Sequence, residues 1–155
     1  MDFRITGLSV APFAPLFRHS DAELGRRNIL RRVCDAKPGF PCRVSMAEAE
    51  PGETVLLLHY EHQPAASPYR AAGPIYVRET ARETFNAVNA VPDVVRERLI
   101  SLRAYDSLGM IVDAEVTEGK DIEPVIRRLF ANGAVEYLHA HNARRGCYSC
   151  RIDRA

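Results

Sequence analysis

The chain has 155 residues, enough for one domain that buries roughly 70% of its unfolded surface without disulfide or metal staples. With 46% hydrophobic and 26% charged residues it falls outside the disordered, collagenous and membrane classes. A net charge of +1 supplies no overall field for nucleic acid or an anionic membrane, so neither is expected as a partner.

The opening stretch "MDFRITGLSVAPFAPLF" carries Asp2 and Arg4, and Pro12 and Pro15 interrupt its apolar run. It fits neither a signal peptide nor a membrane span, and the expected location is cytoplasmic. "FRITGLS" within it is a strand candidate. Next, "SDAEL" offers Ser20 as a helix cap with Glu23 reaching back in a capping box, and the helix is expected to run to about Val33 with its arginines solvated.

"DAKPGFPCR" (35–43) puts two prolines, a glycine and Cys42 into one stiff excursion, the kind of loop that covers a site. Cys42 is a candidate nucleophile if a histidine lies near it, and Arg43 beside it a candidate ligand contact; a buried structural thiol is the plainer alternative. Strands are expected at 54–62 and 73–79. Between them the Pro-rich "HQPAASPYRAAGP" offers Tyr69 and Arg70 as planar and cationic contacts, or serves only as a connection.

"PDVVRER" reads as a short helix with Pro92 in its first turn. Two strands follow, 99–106 and 109–116, with alternation suited to a sheet that has one buried face. "IEPVIRRLFANG" is a helix with Asp121 as its cap, an apolar stripe of Ile122, Ile126, Leu129 and Phe130, and Asn132-Gly133 as its stop. Strands at 135–142 and 147–153 complete the chain. Neither a repeat nor a linker divides it, so residues 1–155 are expected to form a single α+β domain: an antiparallel sheet of about six or seven strands, two or three helices on its apolar face, and a C-terminal β-hairpin.

The hairpin carries most of the unusual chemistry. If "ARRGC" turns through three residues with Gly146 left-handed, His141 opposes Ser149, His139 opposes Arg151, Ala140 opposes Cys150 and Leu138 opposes Ile152. One face is then polar and the other apolar, which a register slip would mix. Cys147 and Cys150, three apart on a strand, point to opposite faces and cannot join in a disulfide or bind one metal; Cys150 is a small buried hydrophobe. With no export signal, the four cysteines are expected to be reduced.

The polar strand faces supply Arg78, Arg103, Tyr105, His139, His141 and Arg151, together with Tyr76. Guanidinium forks bind oxyanions in pairs, so the leading expectation is a small anionic molecule held by Arg78, Arg103 and Arg151. His139 or His141 would act as acid, base or donor, with Cys42 on the covering loop. The alternatives are a metal site on His139 and His141, for which a third ligand such as His62 or Cys147 is needed, and a homodimeric interaction module without catalysis. No cofactor is called for, because nucleotide loops, nucleophile elbows and zinc-protease motifs are absent.

"DAKPGFPCR", "YEHQPAASPYR", "GPIYVRE", "SLRAYD" and "HAHNARRGCY" occur in an order that resembles the bacterial proteins grouped as domain-of-unknown-function family 1203. The resemblance implies a small single-domain bacterial protein with no assigned activity, and it carries no catalytic residues.

Overall fold

A computed structural model describes residues 1–155 and shows two antiparallel sheets. Strands β1 (Phe3–Thr6), β5 (Asn86–Val88), β6 (Leu99–Tyr105), β7 (Ile111–Glu118), β8 (Tyr137–Asn142) and β9 (Tyr148–Arg154) form a six-stranded sheet in the order β5-β1-β9-β8-β6-β7. Strands β2 (Leu30–Val33), β3 (Thr54–Gln63) and β4 (Ala71–Arg78) form a separate three-stranded sheet. The α+β class and the C-terminal hairpin agree with the sequence reading. The division into two sheets was not legible there.

The larger sheet is apolar on one face because Phe3, Ile5, Ile100, Leu102, Leu138, Ala140, Cys150 and Ile152 alternate inward along adjacent strands. Helices α2 (Asp93–Arg96) and α3 (Ile122–Phe130) cover that face with Val94, Val95, Ile122, Ile126, Leu129 and Phe130. Burying each such Leu or Ile contributes about 1.5–3 kcal/mol, so this face anchors the domain. The smaller sheet buries Leu56, Leu58, Ile75 and Val77 against Phe13, Leu24, Ile29, Cys42 and Val44.

Helix α1 (Asp21–Gly25) begins as expected, with the Ser20 and Glu23 capping box present. It does not continue to Val33. Asn28 adopts φ 56°, while Asn28 N–H donates to the Gly25 carbonyl at 3.1 Å and Ile29 N–H to the Leu24 carbonyl at 3.0 Å. That pair of bonds is the Schellman stop, and Ile29 packs with Leu24 in the same core. The chain then turns back as β2, where Arg31 bonds Asp21 at 2.8 Å and the His19 carbonyl at 2.7 Å. The expected Asp121 cap is also absent: a 3-10 turn over Gly119–Asp121 leads straight into α3, and the Asp121 side chain caps nothing.

Segment 41–44 is the bridge between the sheets. Leu8 N–H donates to the Arg43 carbonyl at 2.7 Å, and Arg43 N–H donates to the Tyr76 carbonyl at 3.0 Å. Gly7 permits this approach, since a Cβ there would lie 2.3 Å from the Val44 carbonyl oxygen. Gly7→Ala must therefore push the bridge away, and a loss of about 2 kcal/mol or more is expected by urea denaturation. A change below about 0.5 kcal/mol, the size typical of a neutral surface substitution, would show that the contact is not tight.

Candidate functional site

The β8–β9 pairing follows the expected register at Leu138↔Ile152, His139↔Arg151 and Ala140↔Cys150. Nearer the turn it differs. His141 pairs with Tyr148 rather than Ser149, because a bulge shifts the ladder by one residue. The loop is accordingly one residue longer than expected: Asn142 N–H donates to the Cys147 carbonyl at 2.9 Å, and Gly146 takes the left-handed conformation at φ 80°. The extra residue lets Tyr148 and Arg151, three apart, serve the same face while Cys150 stays in the core.

That face is not an open floor. Arg103, His139 and Arg151 form a cross-strand row, with Tyr105 opposite Tyr137 beside it. His62 and Gln63, at the end of β3, pack over the row: the His62 ring stacks on Tyr148 with centroids 5.1 Å apart and meets His141 edge-on at 5.0 Å. Gln63 donates to the Tyr137 hydroxyl at 2.9 Å. His139 and His141 are 3% and 1% exposed. His141 Nδ1–H donates to the Gly146 carbonyl at 2.9 Å, which leaves Nε2 as the acceptor nitrogen.

Burial, reinforced by His141, Arg151, His62 and Arg103, pulls His139 down to about 3. Burial likewise holds His141 at about 4 against the hydrogen bond to Gly146, with Arg103, His62 and Arg43 adding to the depression. Both rings are therefore neutral at pH 7. Their buried nitrogens, His139 Nδ1, His141 Nε2 and both of His62, have no hydrogen-bond partner in the chain. No three His, Cys, Asp or Glu side chains are grouped to hold a metal, and the guanidinium groups of Arg103 and Arg151 disfavour a dication at the imidazoles.

The remaining expected site residues separate. Cys42 is fully buried in the smaller sheet's core, where its sulfur accepts from Arg78 N–H at 3.4 Å, so it does not cover the histidines. Arg78 holds Glu53 with a two-pronged contact at 2.8 Å. Burial raises the Glu53 carboxyl, but Arg78 and Thr80 outweigh it and hold the group at about 2. Arg70 is paired with Glu61 at 3.0 Å and Tyr69 is exposed on the same loop. Arg151 lies 4.0 Å over the Tyr137 ring and pairs with Asp153 at 2.8 Å. Cys150 is pushed up to about 12, first by burial, and is chemically inert as a thiol.

The open site lies on the other side of the hairpin turn. A cleft of about 640 Å³ runs between loop 39–43, Leu57, Pro74 and Tyr76 of the smaller sheet, residues 97–99 with Glu118, and the turn that carries Asn142, Arg144, Arg145 and Cys147. Arg43 is 3% exposed and lines it. Its Nε donates to the Tyr148 carbonyl at 2.6 Å and its Nη1 to the Pro41 carbonyl. Burial depresses its proton affinity, yet a guanidinium stays charged in proteins. Arg43, Arg144 and Arg145 pair with no carboxylate, whereas Arg98 is neutralised by Glu48. Of the arginines that line this cleft, Arg43 stood out in the sequence as a candidate ligand contact, whereas Arg98, Arg144 and Arg145 did not. "ARRGC" was readable as a turn, but the direction of its side chains depends on the bulge.

Fold and cleft define an α+β protein of two antiparallel sheets with an arginine-lined pocket at their junction. The chain belongs to the family described as "Protein of unknown function (DUF1203)", whose model matches residues 39–154. It is also similar to GTP cyclohydrolase FolE2 of Cereibacter sphaeroides (strain ATCC 17025 / ATH 2.4.3), with 26% identity over 117 residues, covering 69% of this chain and 32% of that protein. The chain thus spans about a third of that relative's length. No solved structure matches it significantly. No helix is long and apolar enough to cross a membrane.

The imidazole layer makes stability depend on pH. As pH falls through about 6.5 the unfolded histidines take up protons, while folded His139 and His141 resist until about 3 and 4. Their contribution is therefore complete above pH 6.5 and declines on acidification across that window. The urea midpoint should drop between pH 7.5 and pH 5, and His139→Phe should flatten the slope. An unchanged slope in that variant would mean that the ring takes up its proton over the same pH range in the folded and unfolded protein, contrary to its burial.

Proposed function

We propose that this protein binds a small anionic molecule, phosphate- or carboxylate-bearing, in the cleft at the junction of its sheets. The observation that carries this reading is Arg43: a buried guanidinium that borders a 640 Å³ cleft, is held in place by two carbonyls and has no carboxylate counter-ion. A buried cation is stable only when its charge is compensated, and two carbonyl bonds compensate it in part. Arg144 and Arg145, exposed at the mouth, add two further unpaired forks. The relative named for GTP acts on a polyanion, which agrees in ligand class with this reading.

In this reading the cleft serves binding, and His139 and His141 hold the hairpin rather than move protons at the ligand. They support it from behind: His139 pairs with Arg151, His141 packs edge-on against Tyr148, and the Tyr148 carbonyl accepts from Arg43. The polar sheet face expected to hold the anion is covered by His62 and Gln63, two of its guanidinium candidates, Arg78 and Arg151, are already paired, and so is Arg70 of the Pro-rich loop.

Calorimetric titration with pyrophosphate, at ionic strength matched by chloride, should give saturable binding. Charge-assisted hydrogen bonds contribute about 1.5–3 kcal/mol each, so Arg144→Ala combined with Arg145→Ala should weaken it at least tenfold without unfolding the protein. Absence of binding, or binding undiminished in the double variant, would defeat the proposal.

A further inference from the structure

We infer that the ligand of the cleft is a nucleoside phosphate whose base presents N–H donors, with guanine preferred over adenine. This rests on the anion-binding reading above and specifies its ligand.

Volume is the first constraint. At about 640 Å³ the cleft lies in the middle of the range of small-molecule sites, roughly 300–1,000 Å³, and is several times larger than an inorganic oxyanion needs. The ligand must fill the remainder with something else. Beside Arg43 its wall is aromatic: the rings of Phe40 and Tyr76 meet with centroids 5.0 Å apart, and Pro41 and Pro74 lie in the same lining. Aromatic walls of this kind take planar rings, and base–aromatic stacking is tolerant of which base is bound.

Charge gives the second constraint. Besides its three unpaired arginines, the cleft contains two carboxylates, Glu97 and Glu118, and neither is paired with a cation. They flank the start of β6, where Glu118 lies opposite Leu99 and Glu97 two residues earlier in the chain. A simple polyanion gains from the arginines and is repelled by these groups. An ionised carboxylate is acceptor-only, so it calls for a donor on the ligand. A molecule that satisfies both kinds of group carries phosphate for the arginines and an N–H edge on a planar ring for the carboxylates, which lie beside the turn because Ala143 N–H donates to the Leu99 carbonyl at 2.9 Å. Guanine offers two adjacent donors, its ring N–H and its amino group, to a two-oxygen acceptor, whereas adenine pairs its amino donor with acceptor nitrogens.

The test compares GTP, ATP and tripolyphosphate by calorimetry at matched ionic strength. GTP should bind at least tenfold more tightly than tripolyphosphate and severalfold more tightly than ATP. Glu97→Gln with Glu118→Gln should abolish the preference for GTP over ATP while leaving tripolyphosphate binding intact or stronger. Tyr76→Ala should bring GTP affinity toward that of tripolyphosphate. If tripolyphosphate binds as well as GTP, the nucleotide inference fails and the anion site stands; if the glutamine variants keep the GTP preference, the recognition of the base by Glu97 and Glu118 is overturned. If none of the three binds, both fail.

Discussion

Arg43 joins three parts of the molecule that are distant in sequence. Its backbone is bonded to Leu8 beyond β1 and to Tyr76 in β4, and its guanidinium donates to the Tyr148 carbonyl at the start of β9. The two sheets therefore meet around one buried charge. Hydrogen bonds from a charged donor to buried carbonyls stabilise by about 1.5–3 kcal/mol each, while desolvating the charge costs several kcal/mol. Without a counter-ion the two terms nearly cancel. An anion in the cleft would tip the sum and so would couple its binding to stability at this residue.

The hairpin assigns its side chains to separate tasks. Its bulge sends Tyr148 toward the imidazoles and Cys150 into the apolar core, and the longer turn puts Arg144, Arg145 and Cys147 on the cleft. The imidazole layer behind it is chemically quiet. Burial and neighbouring guanidinium groups keep His139 and His141 neutral, and Tyr148 is raised above the ordinary phenol range by burial. A neutral, tightly packed aromatic layer suits a rigid support for a charged pocket better than it suits proton transfer at neutral pH.

Much of this fold was legible because period-2 alternation survives in β6 and β8, because a capping box opens α1, and because α3 keeps its apolar stripe of Ile122, Ile126, Leu129 and Phe130. The hairpin register was readable at Leu138, His139 and Ala140 because only one pairing keeps polar and apolar faces apart. β2 was hidden inside an apparent helix: Gly25 and Asn28 are both stop residues, but the apolar and arginine spacing of Leu24, Ile29, Arg31 and Arg32 continues past them, and it is the left-handed φ of Asn28 that ends the helix. β5 is three residues long, too short to show a period. The cleft was illegible for a different reason. Arg43, Glu97, Glu118 and Arg144 lie in four separate segments, and only the meeting of two sheets brings them together.

The most direct measurement is a crystal structure of the protein with pyrophosphate bound. The account predicts phosphate oxygens within hydrogen-bond distance of the Arg43 guanidinium, with Arg144 or Arg145 closing over the same group. Pyrophosphate at Arg103 and Arg151 instead, or Arg43 turned onto Glu97 or Glu118 with the anion excluded, would contradict it.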